Sequence, residues 1–249
     1  MAHRISVTIL TRNNQDRIER CLSSLKGFDE IILLDNGSTD KTLERASAFP
    51  NVRIFESEFL GFGPLKNLAA HHATHDWILN IDSDEMLTSE AFQEIRQLVL
   101  HDNHIYSLPR ENHYAGKVIK CCGWHPDRVL RLYNRRHTAF NDKLVHESLI
   151  VGKSSRIVDL HQPIKHFSFE NASDLLDKMQ NYARLFALEN RGKKKSSPSK
   201  AISHAVMSFL KNFFWQRGFL YGYRGLLISV SNANGVFYKY MMLYEENRK

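Results

Sequence analysis

Four short apolar runs recur in the first hundred residues, and each is followed by a segment of different character. The runs cover residues 5–10, 30–34, 52–55 and 77–81. Runs that are apolar without alternation and rich in β-branched residues are typical of strands buried on both faces of a parallel sheet. Repeated strand–helix units need crossover connections, so the pattern predicts an α/β fold with a mostly parallel sheet and helices on both faces.

The segments between these runs predict helices. The first has apolar residues at i, i+3, i+4 and i+7, namely Ile18, Cys21, Leu22 and Leu25. A turn at Asp35 leads into a helix expected to run through residue 48, and another is expected over about residues 64–73. Thr88 predicts the N-cap of a fourth helix that reaches about residue 100.

Beyond residue 101 the pattern changes to short strands and then to helix. Candidate strands cover residues 105–108, 117–120, 129–133 and 144–151. A long helix is predicted over residues 172–190, and a basic linker rich in Ser follows it. The apolar face of this long helix is expected to consist of Leu175, Leu176, Met179, Tyr182, Leu185 and Phe186.

Charge is distributed unevenly along the chain. Residues 1–100 carry 10 basic and 15 acidic side chains, whereas residues 191–249 carry 11 basic and 2 acidic ones. An acidic half joined to a basic, aromatic tail indicates an organised site in the first half and an anion-seeking tail. With 43% hydrophobic residues the chain is not disordered, and its three cysteines are expected to be reduced thiols in a cytosolic protein.

Polar residues follow three of the four apolar runs directly, at residues 11–13, 35–40 and 82–85. Ligands of open α/β sheets bind beyond the carboxyl ends of the strands. Asp82 and Asp84, one residue apart after a buried strand, suit Mg²⁺ or Mn²⁺. An isolated pair of this kind is often only a polar turn, but Asp35 at a second strand end favours a site.

The motifs ISVTILTRNN, IILLDNGSTDKT, KNLA and WILNIDSDE, in this order and spacing, resemble the donor-binding half of glycosyltransferase family 2. These are inverting enzymes with the Rossmann-like GT-A fold. WHPDRVLRLYNRR, NDKLVHESL, HFSF and the aromatic tail resemble the bacterial lipopolysaccharide-core β-1,4-glucosyltransferases. The resemblance implies transfer of a hexose, glucose from UDP-glucose, to an inner-core sugar such as heptose. Another nucleotide sugar, or another lipid-linked glycan as acceptor, is the alternative.

The resemblance also implies a division of the chain. The catalytic domain would cover residues 1–170, with a nucleotide-sugar-binding half over 1–100 and an acceptor-side half over 101–170. A basic, aromatic and helical region over residues 171–249 would dock the acceptor or a membrane. The donor would be bound by Thr11, Asn13, Asp35, Lys66, Asn67 and Asp82.

The same resemblance implies which residues hold the metal, act as base and stack on the sugar. Asp84, with Asp82 and His166, would hold Mg²⁺ or Mn²⁺, and the metal would neutralise charge on the leaving diphosphate. Glu147 would be the base that inversion requires, with Asp127 and Asp142 as alternatives. Trp124 would stack on a sugar.

These assignments compete with plain structural roles. Lys66 could be a solvated helix lysine, and His166 a satisfied buried histidine. Glu147 could pair with a nearby arginine, and Trp124 could belong to the core.

Two further positions within residues 1–100 have alternative interpretations. Asp40 could simply favour the start of a helix. Asn14 stands where many members of the family have Glu, so the contribution of position 14 is open.

The basic, aromatic tail suits an interfacial anchor on the anionic inner surface of the cytoplasmic membrane, which predicts a cytoplasmic, peripheral location. The aromatic residues in question are Phe213, Phe214, Trp215, Phe219, Tyr221 and Tyr223. They could instead pack on the rest of the protein.

Three other classes of protein were weighed. A pI of about 9.3 fits a nucleic-acid-binding module, but no such motif is present and we expect no nucleic-acid partner. A sugar nucleotidyltransferase needs a Gly-rich loop where residues 11–14 contain no glycine. A non-catalytic membrane protein fits only if the aspartates bind nothing.

Overall fold

The computed structural model describes residues 4–143 and 147–249. The strands are β1 (Ile5–Thr11), β2 (Glu30–Asp35), β3 (Val52–Glu56), β4 (Trp77–Asp82), β5 (Glu85–Leu87), β6 (His104–Tyr114), β7 (Lys117–Val118), β8 (Arg128–Asn134), β9 (Arg156–Asp159) and β10 (Ile164–Phe169). The helices are α1 (Gln15–Ser24), α2 (Thr42–Ala46), α3 (Phe62–His72), α4 (Ser89–Gln97), α5 (Ala172–Asn190), α6 (Pro198–Leu210) and α7 (Gly222–Glu246). A π-helical turn, Lys211–Trp215, and a 3-10 turn, Gly218–Tyr221, connect α6 to α7.

The chain forms two compact units. The first contains residues up to 111 and residues 127–166, and the second contains residues 112–126 and 167–249. Residues 112–126 group with the helices because the backbone N–H of Cys122 donates to the carbonyl of Gln216 (3.1 Å), and its Sγ lies 3.4 Å from Ser229 Oγ. The sequence-based division falls between residues 170 and 171 and assigns all of 112–126 to the first part. Contacts between residues so far apart in the chain produce no local sequence pattern, so the sequence does not predict this grouping.

The first unit is built on a sheet with a parallel half. β3, β2, β1 and β4 lie side by side in this order and are parallel, and the antiparallel β8 continues the sheet beyond β4. β6 pairs antiparallel with β8 and parallel with β9, while β5 pairs antiparallel with β10. The α/β class predicted from the apolar runs is confirmed.

Helices cover both faces of the parallel half. Ile31 and Leu33 of β2 belong to a core cluster that includes residues of α1 and α4. Ile32 and Leu34 belong to a second cluster that includes residues of α3. Because successive side chains of a strand point to opposite faces and β2 is covered on both, its residues 31–34 are all apolar and do not alternate.

Several predicted boundaries differ from the observed ones. The hydroxyl of Thr88 accepts from the N–H of Ala91 (3.1 Å), which confirms the N-cap, but α4 ends at Gln97 rather than near residue 100. α2 has five residues and starts only at Thr42. The segment before α2 is not helical because its side chains brace neighbouring loops, as described below.

The predicted strand over residues 144–151 has no counterpart in its described part. Residues 144–146 lie outside the described residues, and among the rest only Leu149 forms an isolated bridge, to Phe140. Conversely, β5, β9 and β10 were not predicted. β5 is short, and all three are defined by pairing with distant strands, which sequence periodicity does not report.

The second unit is helical. α5 has the predicted bounds and packs on α7, with Leu175, Ala183 and Ala187 buried. Leu176 and Tyr182, expected on the buried face, are exposed. Packing through alanines brings two helices close together and narrows the buried stripe, so the larger apolar residues beside it stay outside.

The tail aromatics divide into two groups. Phe213 and Tyr221 are partly buried, whereas Phe214, Trp215 and Tyr223 are exposed, as is Phe219. The partly buried aromatics agree with packing on the rest of the protein, and for the exposed ones the interfacial anchor stays a prediction. Among the described residues, no helix has both the length and the apolar character required to cross a bilayer.

Glu30, at the start of β2, forms hydrogen bonds to β1, to β3 and to the segment before β4. Its carboxylate accepts from the hydroxyl of Ser6 in β1, from the N–H (2.8 Å) and hydroxyl (2.7 Å) of Thr74, and from Arg53 in β3 (2.7 Å). Burial alone would raise the pKa of Glu30, but these hydrogen bonds outweigh it and lower the pKa from 4.5 to about 2. The charged form of Glu30 therefore stabilises the fold.

We expect Glu30→Gln to reduce the free energy of unfolding by about 1–3 kcal/mol at pH 7, because it weakens several charge-assisted hydrogen bonds. A carboxyl group with a lowered pKa contributes fully above its unfolded pKa of 4.5, and its contribution is lost as the pH falls toward 2. Urea unfolding at neutral and at acid pH should give a smaller difference between wild type and variant at acid pH. The exposed Asp29→Asn is the matched control, and a difference that stays constant with pH would contradict this role.

Candidate functional site

Three strands end side by side at one edge of the sheet. In the parallel registers, Thr11 pairs with Asp35 and Leu10 pairs with Asp82. The loops that follow β1, β2 and β4 therefore begin at the same edge. The structure brings together the three polar segments that the sequence placed after apolar runs.

Asp35 is buried and organises the loop after β2. One carboxylate oxygen accepts from the backbone N–H groups of Gly37 (2.9 Å) and Ser38 (2.8 Å), and the other accepts from the hydroxyl of Ser38. Gly37 has a φ of +95°, which this tight turn requires and which glycine adopts without strain. A carboxylate has about four acceptor positions, so Asp35 can accept a further hydrogen bond from a ligand.

Asn13 and Asn14 brace the loop after β1. The N–H of Asn13 donates to Ser38 Oγ (2.9 Å), and its Oδ1 accepts from the N–H of Thr39 (2.7 Å). Asn14 donates through Nδ2 to the carbonyl of Ser83 (2.9 Å), in the loop after β4. Asn14 thus joins the loop after β1 to the loop after β4, and Asn13 joins the loop after β1 to the loop after β2.

Asp40 has a structural position at the start of α2. Its carboxylate accepts from the N–H of Thr42 (3.0 Å), from the hydroxyl of the same residue and from the N–H of Gln15 (3.1 Å). Burial would raise the pKa of Asp40, but these hydrogen bonds outweigh it and lower the pKa. The role at a helix start, weighed against a binding role, agrees with these contacts.

Thr11 carries a buried polar atom that the described residues do not satisfy. The residue is 3% exposed, and its Oγ1 has no hydrogen-bond partner in the part of the chain that the structure describes. Unsatisfied buried hydroxyls are uncommon because they forfeit a hydrogen bond to water. A hydroxyl of this kind beside Asp35 fits a site that a polar ligand completes.

Lys66 of α3 is buried and connects two carboxylates. Its Nζ lies 3.2 Å from Asp82 Oδ1 and 2.8 Å from Glu147 Oε1. The side chain is 6% exposed, so it is not the solvated helix lysine considered above. Glu147 does form an ion pair, but with this lysine rather than with an arginine. Lys66 therefore joins Asp82, at the end of β4, to Glu147.

Arg131 of β8 continues the chain of charges. Its guanidinium lies 2.5 Å from Asp82 Oδ2 and 2.5 Å from Glu85 Oε1, and it donates to Asn80 Oδ1 (3.2 Å). Glu85 is fully buried, and its second oxygen accepts from the N–H of Asp82 (3.0 Å). Both oxygens of Asp82 are thus engaged by cations, one by Lys66 and one by Arg131.

The pairing shifts the protonation equilibria of both partners. Burial would raise the pKa of Asp82, but the charges of Arg131 and Lys66 outweigh it, so this pKa lies well below its usual range. Burial would lower the pKa of Arg131, and the charges of Asp82 and Glu85 raise it instead. The ionised forms of Asp82 and Arg131 are therefore both favoured.

Asp84 and His166 form the part of the site that suits a divalent cation. Asp84 Oδ2 lies 3.4 Å from His166 Nε2, and the Asp84 side chain is 23% exposed. Mg²⁺ and Mn²⁺ in nucleotide sites are held by one or two carboxylates together with substrate phosphates, so this donor set fits. No group of three or more His, Cys, Asp or Glu among the described residues could hold a metal ion by itself.

The other predicted residues have defined positions. Both ends of the Asn67 amide hold the backbone of Phe140, at 2.9 Å and 2.8 Å. Asp127, an alternative base, pairs with Arg110 (2.8 Å), and Asp142, the second alternative, is exposed. Trp124 belongs to the second unit, where its ring stacks on that of Phe169.

The sequence motifs alone do not predict the positions of Arg131 and Glu85 in the site. A signal was present, because Arg131 interrupts the apolar residues Val129, Leu130 and Leu132 within a predicted strand. A charged residue in a buried strand requires a partner of opposite charge. That partner lies on strands distant in the sequence, and periodicity does not identify it.

We expect Arg131→Met to reduce the free energy of unfolding by about 3–5 kcal/mol, because it leaves two carboxylates without their common cation. Arg136→Met is the matched control, since Arg136 is 73% exposed and its ion pair with Asp76 contributes about 0–1 kcal/mol. Chemical denaturation of both variants measures the difference. Equal effects of the two substitutions would contradict the central position of Arg131.

Comparison with known proteins identifies the family. The model of Glycosyl transferase family 2 matches residues 6–142, more than half of the chain. Uncharacterised glycosyltransferases of Rickettsia bellii (29% identity over 98% of this chain and 87% of the relative) and Rickettsia typhi (29%, 99% and 88%) are similar over nearly the whole length.

A solved structure is similar in fold. The mannosyltransferase PcManGT from Pyrobaculum calidifontis, in complex with GDP-Man and Mn²⁺, has a TM-score of 0.51 and 15% identity over 93% of this chain and 74% of its own. This similarity supports the GT-A-like fold expected from the sequence. With the family match over residues 6–142, the chain belongs to glycosyl transferase family 2.

Proposed function

We propose that this glycosyltransferase transfers glucose from UDP-glucose, with inversion, to a heptose of a lipopolysaccharide inner-core precursor at the inner face of the cytoplasmic membrane. The observation that carries the donor side of the proposal is the convergence of Thr11, Asp35 and Asp84 at one edge of the sheet. The sugar and the acceptor rest on the resemblance to lipopolysaccharide-core glucosyltransferases, and the same site would accept another nucleotide sugar after small changes in its pocket.

The donor nucleotide would lie over the ends of β1 and β2. The Asp35 carboxylate is a suitable acceptor for ribose hydroxyls or the uracil imide N–H, and its turn fixes its orientation in advance. The unsatisfied Thr11 hydroxyl would gain a hydrogen bond from the ligand. Asn13 would contribute by holding the two loops in register.

The diphosphate would lie near Asp84. Asp84 and His166 would hold the divalent cation, which neutralises the negative charge that develops on the departing nucleoside diphosphate. The Asp82 carboxylate is held by Lys66 and Arg131, so we assign it the task of orienting this loop and contacting the ribose. Lys66, which contacts Asp82, adds a buried positive charge next to this loop.

Glu147 would act as the base. Its side chain is 18% exposed and its Oε1 contacts Lys66 Nζ, which fixes one oxygen, and we assign the other oxygen to the acceptor hydroxyl. As the acceptor oxygen bonds to the anomeric carbon, Glu147 takes the hydroxyl proton and the bond from that carbon to the diphosphate oxygen breaks. Attack from the face opposite the leaving group inverts the configuration.

The acceptor side is assigned to the basic part of the chain. Residues 191–249 carry 11 basic and 2 acidic side chains, which suits a phosphorylated, lipid-linked acceptor at an anionic surface. We propose that Trp124, whose ring stacks on that of Phe169, contributes an aromatic surface for a sugar on this side.

Calorimetric titration tests the donor and the metal. We expect the wild type to bind UDP and UDP-glucose in the presence of Mn²⁺ or Mg²⁺ and much more weakly in EDTA, and Asp84→Asn to lose the metal-dependent part. Asp29→Asn, an exposed substitution of the same kind, should bind as the wild type does. GDP-mannose is the competing donor, because the structural relative carries it. Equal binding with and without metal would remove the cation from the proposal, and no binding of any nucleotide would remove the donor site.

Substitution of the base separates binding from chemistry. We expect Glu147→Gln to retain donor binding while transfer to a heptose-terminated acceptor falls by about 10²–10⁴-fold, the usual contribution of a general base. Asp127→Asn and Asp142→Asn serve as comparisons and should keep transfer. If Glu147→Gln remains active and one of these two does not, the base is that other aspartate.

A further inference from the structure

Helix α6 and the π-helical turn after it expose large apolar side chains on one side. Ile202, Val206, Leu210 and Phe214 follow one another at intervals of four residues, and Met207 and Trp215 lie beside them; all six are exposed. We call these six side chains the α6 ridge. Trp215 is 87% exposed, more than any other large apolar side chain of the described residues.

The buried residues of this helix and turn are small or polar, and Phe209 and Phe213 are partly buried. Ala201 and Asn212 are buried, and Asn212 Oδ1 accepts from Asn232 of α7 (3.0 Å). The His204 ring lies 4.8 Å from the ring of Tyr240, also in α7. A surface helix of a protein in water normally has the opposite arrangement, with its apolar side against the protein. Helix α6 therefore exposes its apolar side, which is the opposite of the usual arrangement for a surface helix in water.

The corner after the ridge is fixed by close backbone packing. A Cβ on Gly225 of α7 would lie 1.8 Å from the carbonyl oxygen of Gly218, so only glycine permits this approach. Arg217 has a φ of +58°, which turns the chain sharply before the 3-10 turn. Phe219 and Leu220 are consequently held exposed near Trp215 in sequence. Side chains presented on a rigid corner lose little entropy when they bind.

The charges around the ridge have one sign. Residues 198–244 contain five basic and no acidic side chains. Lys211 and Arg217, on either side of Trp215, are exposed. Apolar side chains combined with cations, Trp and Tyr are typical of surfaces that lie in the headgroup region of a membrane.

We propose that the α6 ridge inserts into the interface of an anionic phospholipid bilayer while Lys211 and Arg217 contact lipid phosphates. A second copy of the chain is a poorer occupant, because a symmetric interface would place the same cations opposite one another without acids to pair them. The inference specifies the surface responsible for the membrane location in the proposed function. Vesicle binding is measured without donor or acceptor, so failure of one proposal is distinguishable from failure of the other.

The test uses the full-length protein, because truncation after α5 would remove α7 and uncover Ala183 and Ala187. Binding to vesicles of phosphatidylcholine with phosphatidylglycerol is measured by co-sedimentation. We expect Leu210→Ser, Phe214→Ser and Trp215→Ser, combined in one chain, to weaken binding by at least about ten-fold, since burial of apolar area is lost.

The matched control is Val99→Ser combined with Ile157→Ser, which removes exposed apolar side chains of the first unit. This variant should bind vesicles as the wild type does. Circular dichroism and thermal unfolding establish that both sets of variants are folded.

A second pair of variants tests the charges. Lys211→Gln with Arg217→Gln should weaken binding to the anionic vesicles by about five-fold per charge removed and leave binding to phosphatidylcholine alone unchanged. Lys153→Gln, an exposed lysine of the first unit, is the control. An equal loss on neutral vesicles would overturn the role of the two cations.

Fluorescence locates the inserted residue. Trp215 is one of three tryptophans, and Trp77 is buried. Brominated lipids should quench the wild type, and Trp215→Phe should lose most of this quenching. The proposal is overturned if the wild type does not bind anionic vesicles or if the ridge variant binds them equally. It is also overturned if sedimentation velocity shows self-association that the ridge variant loses while its vesicle binding is unchanged, because the ridge would then join two copies.

Discussion

The ion-pair network around Asp82 is the constraint on which the site depends. Arg131 is buried, and a buried guanidinium is stable only with carboxylates in direct contact, so Asp82 and Glu85 must lie where they do. Lys66 extends the network to Glu147. The end of β4 is thereby fixed against β5, β8 and α3 by ion pairs. A loop held in this way can present Asp84 in a constant position, which is the preorganisation that catalysis requires.

The polar residues at the strand ends fall into two groups with different tasks. Asn13, Asn14 and Asp40 use their side chains to join the loops to one another. Thr11 has a hydroxyl without a hydrogen-bond partner among the described residues, and Asp84 is partly exposed beside His166. The first group makes the edge of the sheet rigid, and we propose that the second group meets the ligand. A polar motif in the sequence does not distinguish these tasks, because both need the same side chains.

The helical unit follows a different packing rule. Its helices approach closely through small residues, with Ala183 and Ala187 of α5 against α7 and Gly225 against Gly218. Close approach buries backbone and leaves larger apolar side chains outside, which accounts for the exposed Leu176 and Tyr182 as well as for the exposed side of α6. The sequence periodicity predicts the length of α5 correctly. It does not show which residues of the apolar stripe pack against another helix.

The sequence by itself determined the strand–helix order of the first hundred residues, the edge where the polar segments meet, the N-cap at Thr88 and the bounds of α5. These features depend on local patterns of burial, capping and chain reversal, which a sequence records directly. Only the tertiary structure decided that Lys66 is buried between Asp82 and Glu147, that Arg131 supports the site, that residues 112–126 join the helical unit and that α6 turns its apolar side outward. Each of these depends on contacts between residues far apart in the chain, and such contacts produce no periodic pattern in the sequence.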